Sequence, residues 1–285
     1  MAEQTTFSAA EAAVYDRQMR LWGVEAQKRL QNSRVLVSGL SALGSELVKN
    51  LVLAGMGVTL HDDQLTNSAN GSTQFFLSVE DRAEACLAQV QELNPLVQVS
   101  CETKPLSALP DDFFKKFTVV CLVGADQSSE LRLDQLCRSF GTAFFAARSF
   151  GFDGIMFADL GAHTFRRNPI GADTAPSDPI TMIFPTLEEA QKGYKTEKNV
   201  TSIGSEHVVD FIQFARAQFE VQGLDEDYLS PDELQMLVRV VDTDLVPICA
   251  IVAGIMGQEV IKAISQKDEP ICNYFCFDGV TGTCN

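Results

Sequence analysis

Val35-Leu36-Val37-Ser38-Gly39-Leu40-Ser41-Ala42-Leu43-Gly44 decides the fold. A short β-branched run ends at a serine–glycine pair, and a helical repeat starts at once. Leu43, Leu47 and Leu51 recur at i, i+4 and i+8, with Val48 and Val52 beside them. The first pattern reads as a buried strand and the second as a helix. Gly55 and Gly57 end that helix at Ala54, and Val58-Thr59-Leu60 is the next strand. Strand, glycine turn, helix and strand form a βαβ unit, the opening of a doubly wound α/β sheet.

Working outward, Ser8 and Glu11 make a capping box, which predicts a helix from Ala9 past Arg20. A basic helical stretch, Val24 to Leu30, leads into the first strand. Downstream the alternation continues. Helices are expected over Asp81–Leu93 and Leu131–Phe140, strands over Val97–Cys101, Thr118–Val123 and Ala143–Ala147, and a hairpin over Phe150–Gly161. The fold class is therefore α/β, a Rossmann-like, mostly parallel sheet. The pattern breaks at Asn168 to Pro179, which is rich in Pro, Gly and Asp and reads as a mobile loop. An amphipathic helix is expected over Ser205–Phe219, and another after the Ser230-Pro231-Asp232-Glu233 box. Pro247 to Ile264 is apolar nearly all round and predicts a buried helix, followed by a closing strand over Asn273–Asp278. The organisation expected is a first sheet part over 1–164, a small helical insert over 165–245, and a return to the sheet over 246–285.

Charge narrows the function. The 285 residues carry 22 Lys plus Arg against 38 Asp plus Glu, a net charge of −16. Phosphate-rich partners need clustered cations, so nucleic acid and anionic membranes are not expected. The first twenty residues lack a basic-flanked apolar core, and no membrane-spanning run is read, which suggests an intracellular protein. The eight cysteines then read as small buried hydrophobes. Cys272, Cys276 and Cys284 form no C-x-x-C pair and have no histidine nearby, so no metal site is expected. Nor does any cysteine pair with His61, His163 or His207 as a nucleophile would.

The glycine turn carries the chemistry to be decided. A G-x-G-x-x-G loop binds phosphate because its second glycine admits the backbone and the helix start supplies positive potential. Here that glycine is Ser41, whose Cβ crowds the approach. His61-Asp62-Asp63 is placed where an acid holds a ribose. The same residues also fit a tight strand-to-helix turn followed by a solvated acidic loop.

Three stretches together carry a resemblance. Tyr15-Asp16-Arg17-Gln18-Met19-Arg20-Leu21-Trp22-Gly23, the Gly39–Gly44 loop, and Pro247-Ile248-Cys249-Ala250 with Gly257-Gln258-Glu259-Val260-Ile261-Lys262 resemble the adenylation domains of enzymes that activate ubiquitin-like proteins, of the ThiF/MoeB-like fold. With the closing Phe275-Cys276-Phe277-Asp278-Gly279, they are most similar to the smaller subunits of that family's SUMO branch. The resemblance covers nearly the whole chain and is weakest over 165–245. It implies that active halves bind ATP and Mg²⁺, adenylate the modifier's C-terminal glycine and pass it to a cysteine. This sequence departs from the active pattern. Ser41 and Ala42 replace the two middle glycines between Gly39 and Gly44. Thr73 stands where the phosphate-binding arginine is expected. Arg82 stands for an active-half lysine, and Asp126 lies close to the Mg²⁺-binding aspartate. The resemblance thus implies no intact cofactor site at Gly39, Ser41, Gly44, Asp62, Asp63, Thr73, Arg82 and Asp126, and no metal.

For Arg17 it implies a role in trans, completing the ATP site of a larger catalytic subunit, with Asp16 orienting the guanidinium. The bland alternative is a solvated helix-surface arginine. The implied partners are that larger subunit of a heterodimer and the SUMO modifier, and the implied locations are nucleus and cytoplasm. Two other readings stand beside it. One is a self-sufficient homodimeric adenylating enzyme; the other is the regulatory subunit for the related modifier NEDD8.

Overall fold

The computed structural model describes residues 7–63, 82–167, 177–191, 212–213, 215–217, 219–220, 223–225, 228–240 and 243–284. Helices α1 (Ala9–Trp22) and α2 (Val24–Asn32) precede β1 (Arg34–Ser38), α3 (Ala42–Leu53) and β2 (Gly57–His61). Then come α4 (Arg82–Leu93), β3 (Val99–Glu102), β4 (Val119–Val123), α5 (Gln127–Phe140), β5 (Ala143–Phe150), β6 (Asp153–Asp159) and β7 (Ala162–Phe165). The chain continues through β8 (Ile180–Ile183), α6 (Leu187–Ala190), α7 (Pro231–Val240), α8 (Val246–Ser265), β9 (Tyr274–Asp278) and β10 (Thr283–Cys284).

Eight strands form one sheet in the order β10-β9-β6-β5-β4-β1-β2-β3. β3, β2, β1, β4 and β5 run parallel, and β6, β9 and β10 extend them antiparallel. The order reverses between β1 and β4, so their C-terminal ends open the crevice where such sheets place ligands. The apolar runs explain the core. β4 is buried at every residue, as expected for a central strand covered on both faces. One face packs against α3, α4 and α8 through Leu47, Leu51, Val252 and Met256. The other packs under α5 and the turn Asp111–Lys116 through Phe114, Phe144, Leu133 and Phe157.

Several boundaries differ from expectation. The hairpin is made by β5 with β6, its turn at Gly151-Phe152, because β5 continues three residues past Ala147. Gly151 has φ +59, and a Cβ there would sit 2.5 Å from Val240. A second ribbon pairs β7 with β8, and β8 falls in the 165–245 stretch whose sequence pattern predicts a helical insert. The Asn168–Pro179 loop lies outside the described residues except for Ser177 to Pro179, and most of the Ser205–Phe219 helix lies outside them too. α8 is long and apolar enough to cross a membrane. Its apolarity serves the core instead: Ile248, Val252, Met256 and Val260 are buried, and only a stripe with Val246 and Ile251 is exposed. The cysteines divide. Cys86, Cys121, Cys137 and Cys249 are buried, whereas Cys272, Cys276 and Cys284 are exposed, contrary to a uniform hydrophobic role.

Candidate functional site

The glycine turn sits at the crevice and is closed upon itself. Gly39 has φ +91, and a Cβ on it would lie 2.1 Å from the Val123 carbonyl oxygen at the end of β4. A Cβ on Gly44 would lie 1.9 Å from the Gly39 carbonyl oxygen. Both glycines are therefore required by packing, before any ligand is considered. The Gly39 amide donates to the His61 carbonyl at 2.9 Å. The Leu40 amide donates to Asp62 Oδ2 at 2.8 Å. Ser41 caps α3, its Oγ accepting from the Gly44 amide at 3.5 Å. Three of the turn's amide donors, those of Gly39, Leu40 and Gly44, are thus spent inside the protein.

The acids and the histidine have similar employment. His61 is buried; its ring meets Ser38 Oγ at 2.8 Å and the Lys104 carbonyl at 2.8 Å. A carbonyl only accepts, so Nε2 carries a hydrogen and the ring struts β1 and β2 to the loop after β3. Asp62 is buried behind the turn, and Asp63 is exposed. Asp126 caps α5: it accepts from the Ser129 amide at 3.0 Å, from Ser129 Oγ at 2.7 Å and from Ser128 Oγ. The Ser128 and Ser129 hydroxyls, then the backbone amides, hold its carboxyl down at about 2. Arg82 opens α4, and Thr73 lies outside the described residues. Asp62 and Asp126, the acids an active half would turn to ribose and Mg²⁺, are instead bonded to the Leu40 amide and to the start of α5, so these two do not fit ATP and Mg²⁺ as an active half would hold them.

Asp126 gives a first prediction. Its carboxyl is lowered on folding, so its cap stabilises above the unfolded value of 3.8 and is lost as pH falls through about 2. Asp126→Ala should cost about 1 kcal/mol at neutral pH. It should also flatten the loss of stability over that acid interval, as read in urea melts across pH.

The buried thiols are chemically quiet. Burial pushes Cys137 up to about 12, Cys249 up to about 11 and Cys121 higher still. A nucleophilic cysteine needs the reverse.

What α1 presents is different. At 100° per residue, Tyr15, Gln18 and Trp22 share one face, and Arg17 lies on the opposite side. The shared face is anchored by side-chain hydrogen bonds to the turn after α3. Gln18 Nε2 donates to the Leu53 carbonyl at 3.0 Å. Trp22 Nε1 donates to Gln27 Oε1 at 2.9 Å, and Gln27 Nε2 donates to the Ala54 carbonyl at 3.0 Å. Asn94 Nδ2 donates to Tyr15 Oη at 2.8 Å and to the Val52 carbonyl at 2.9 Å. Tyr15 is fully buried, and burial raises its phenol. Gly55, at φ +93, is held close beneath; a Cβ on it would meet the Tyr15 ring at 3.0 Å. The motif Tyr-Asp-Arg-Gln…Leu-Trp-Gly is thus a fixture. Asn94→Ala should leave the Tyr15 hydroxyl and the Val52 carbonyl short of a buried donor and cost about 2 kcal/mol, with the urea midpoint lowered at unchanged slope.

Arg17 is exposed and has no hydrogen bond or ion pair among the described residues. Asp16 does not orient it. The Asp16 carboxylate is bound by Arg20 instead, at 3.0 and 3.2 Å, one turn along. Arg17 stands between Val14, 56% exposed, and Leu21, 74% exposed, an apolar stripe at i−3 and i+4 facing water.

The C-terminal motif is also structural. Glu259 is buried; its Oε2 accepts the Ile271 amide at 2.7 Å, and its Oε1 accepts from Lys262 at 2.6 Å. Lys262 also donates to the Glu269 carbonyl. Together they fix the turn from α8 into β9, and Gly257 faces Asn50 and Leu47 of α3, where a Cβ would make ordinary contact at 3.4 Å.

A doubly wound sheet with a glycine turn at its switch point and an antiparallel extension defines a Rossmann-type nucleotide-binding fold, here with three of the turn's amides bonded internally. The chain belongs to the ThiF family, whose model matches residues 15–284. It is 36% identical to SUMO-activating enzyme subunit 1 of Danio rerio, over 99% of this chain and 95% of that one. To the Homo sapiens protein of the same name it is 34% identical, over 96% and 94%. A crystal structure of Escherichia coli MccB with succinimide is similar in fold, with a TM-score of 0.61 at 14% identity, over 95% of this chain and 70% of that one.

Proposed function

We propose that this chain is the non-catalytic small subunit of a heterodimeric SUMO-activating enzyme, and that Arg17 completes the adenylation site of the larger subunit. The supporting observation is the contrast between two sites. The chain's own glycine turn has its Gly39, Leu40 and Gly44 amides bonded internally, whereas Arg17, with no bond among the described residues, is held outward on an apolar stripe of a firmly anchored helix. A planar guanidinium forks onto phosphate oxygens, and one supplied across an interface stabilises the charge of a transferring phosphoryl group. ATP and Mg²⁺ are then bound by the larger subunit, which adenylates the C-terminus of SUMO and carries the acceptor cysteine. The two homologous sheets pack with pseudo-two-fold symmetry, and the assembly works in nucleus and cytoplasm.

The test is SUMO-dependent ATP–pyrophosphate exchange by this chain, by the larger subunit, and by their mixture. Activity is expected only in the mixture. Robust exchange by this chain alone overturns the assignment, and so does full activity of the larger subunit alone.

A further inference from the structure

Far from α1, two buried carboxyls lie beneath the segment that joins β8 to α6. Asp134 of α5 is fully buried. Its Oδ2 accepts the Leu187 amide at 2.8 Å, and its Oδ1 has no hydrogen-bond donor among the described residues. Asp159, at the end of β6, is 3% exposed. Both its oxygens take Arg138 Nη1 at 3.1 Å, and Oδ1 accepts the Gly161 amide at 2.8 Å. The same guanidinium donates to the Phe184 carbonyl at 3.0 Å. The two carboxyls are within hydrogen-bonding contact of each other.

Two carboxylates only accept, so in contact they leave an orphaned oxygen and a repulsion. Two negative charges would also face one guanidinium. One proton removes every conflict. Placed on Asp134 Oδ1, it creates a hydroxyl that donates to Asp159 and leaves Oδ2 free to accept from Leu187. Asp159 then stays ionised, because it has the guanidinium and the Gly161 amide, whereas Asp134 has one amide.

We propose that Asp134 and Asp159 share a single proton, and that this proton latches the Phe184–Leu187 segment onto α5. Among the described residues, the other groups facing the pair supply no second cation. Burial first, and then Glu189 of α6, raises Asp159 against the pull of the Gly161 amide and Arg138, and the thiols of Cys137 on α5 and Cys272 before β9 are both shifted upward by burial. Burial, with the neighbouring Asp159, pushes the Asp134 carboxyl up to about 7 against the pull of the Leu187 amide. The direction follows. The folded value lies above the unfolded 3.8, so the latch holds fully below about pH 4 and weakens as pH rises towards about 7. The segment's docking is thereby coupled to pH through one buried proton.

The experiment is amide hydrogen exchange at Leu187 in the full chain from pH 5 to 7.5, with carboxyl ¹³C titration of Asp134. In the wild type, local opening should rise by up to tenfold per pH unit beyond the intrinsic exchange rate, levelling near pH 7. In Asp134→Asn the amide donates to Asp159 permanently and Leu187 keeps its acceptor, so that excess should vanish with protection retained. In Asp159→Asn the amide donates to a normally ionising Asp134, and its resonance should titrate in the ordinary carboxylate range. Should either variant fail to fold, the wild-type ¹³C titration decides. An Asp134 carboxyl titrating near 3.8 in the wild type overturns the proposal, and so does exchange at Leu187 with only the intrinsic pH slope.

Discussion

Arg17→Ala should cut SUMO-dependent pyrophosphate exchange by the reconstituted pair roughly 10²-fold or more, the scale of a lost transition-state charge contact. The chain's own stability should stay within about 0.5 kcal/mol of wild type, since the side chain is exposed and unpaired among the described residues. Two controls separate a forked contact from general positive potential. Arg17→Lys keeps the charge but not the planar fork, and should recover only part of the loss. Arg20→Ala removes a cation one turn away that is already bound to Asp16, and should leave exchange near wild type. Equal losses at Arg17 and Arg20 would mean that the helix contributes only diffuse charge, and would defeat the assignment of Arg17 to phosphate.

The same helix shows what a sequence can and cannot disclose. Its start is local: Ser8 and Glu11 satisfy each other within one turn, so the capping box is visible in the letters alone. Its fixture is not. Tyr15 meets Asn94 across 79 positions and Gln27 meets Ala54 across 27, and no periodicity reports such pairings. The role proposed for Arg17 rests on a resemblance, because what the structure shows of it is an exposed side chain with no partner among the described residues. Reading Asp126 as a metal-side acid hides the simpler signal that Asp126 and Ser129 open a helix, which is why α5 starts at Gln127 and not at Leu131. The apolar pattern of β5 ends at Ala147 because Arg148-Ser149-Phe150 meet solvent, though pairing with β6 continues to Phe150. β8 was obscured by the turn-rich residues around it. The Asp134–Asp159 pair was invisible for a further reason: two acids 25 positions apart in sequence look solvated until the fold encloses them.

The glycine turn separates residues kept for packing from residues kept for a ligand, and substitution makes the separation measurable. Gly39→Ala should be the most damaging single change in the turn. It forces a Cβ to 2.1 Å from a backbone oxygen of β4, which cannot move without disturbing the sheet's centre. It also places alanine at φ +91, outside the regions that L-residues favour. Overpacking against backbone and left-handed strain together should cost on the order of 3–5 kcal/mol, a large part of a domain's whole stability. Gly44→Ala meets the Gly39 carbonyl at 1.9 Å and should behave alike. Ser41→Gly, by contrast, restores the glycine of an active loop and loses only a cap, worth a few tenths of a kcal/mol. It should bind ATP no better than wild type, because Asp62 still holds the Leu40 amide that a phosphate would take. Urea melts of the three variants, with ATP titrated against each by calorimetry, check both halves. A mild Gly39→Ala would show the turn to be looser than its contacts require. Tight ATP binding by Ser41→Gly would show that a single side chain, and not the internally satisfied turn, had closed the site.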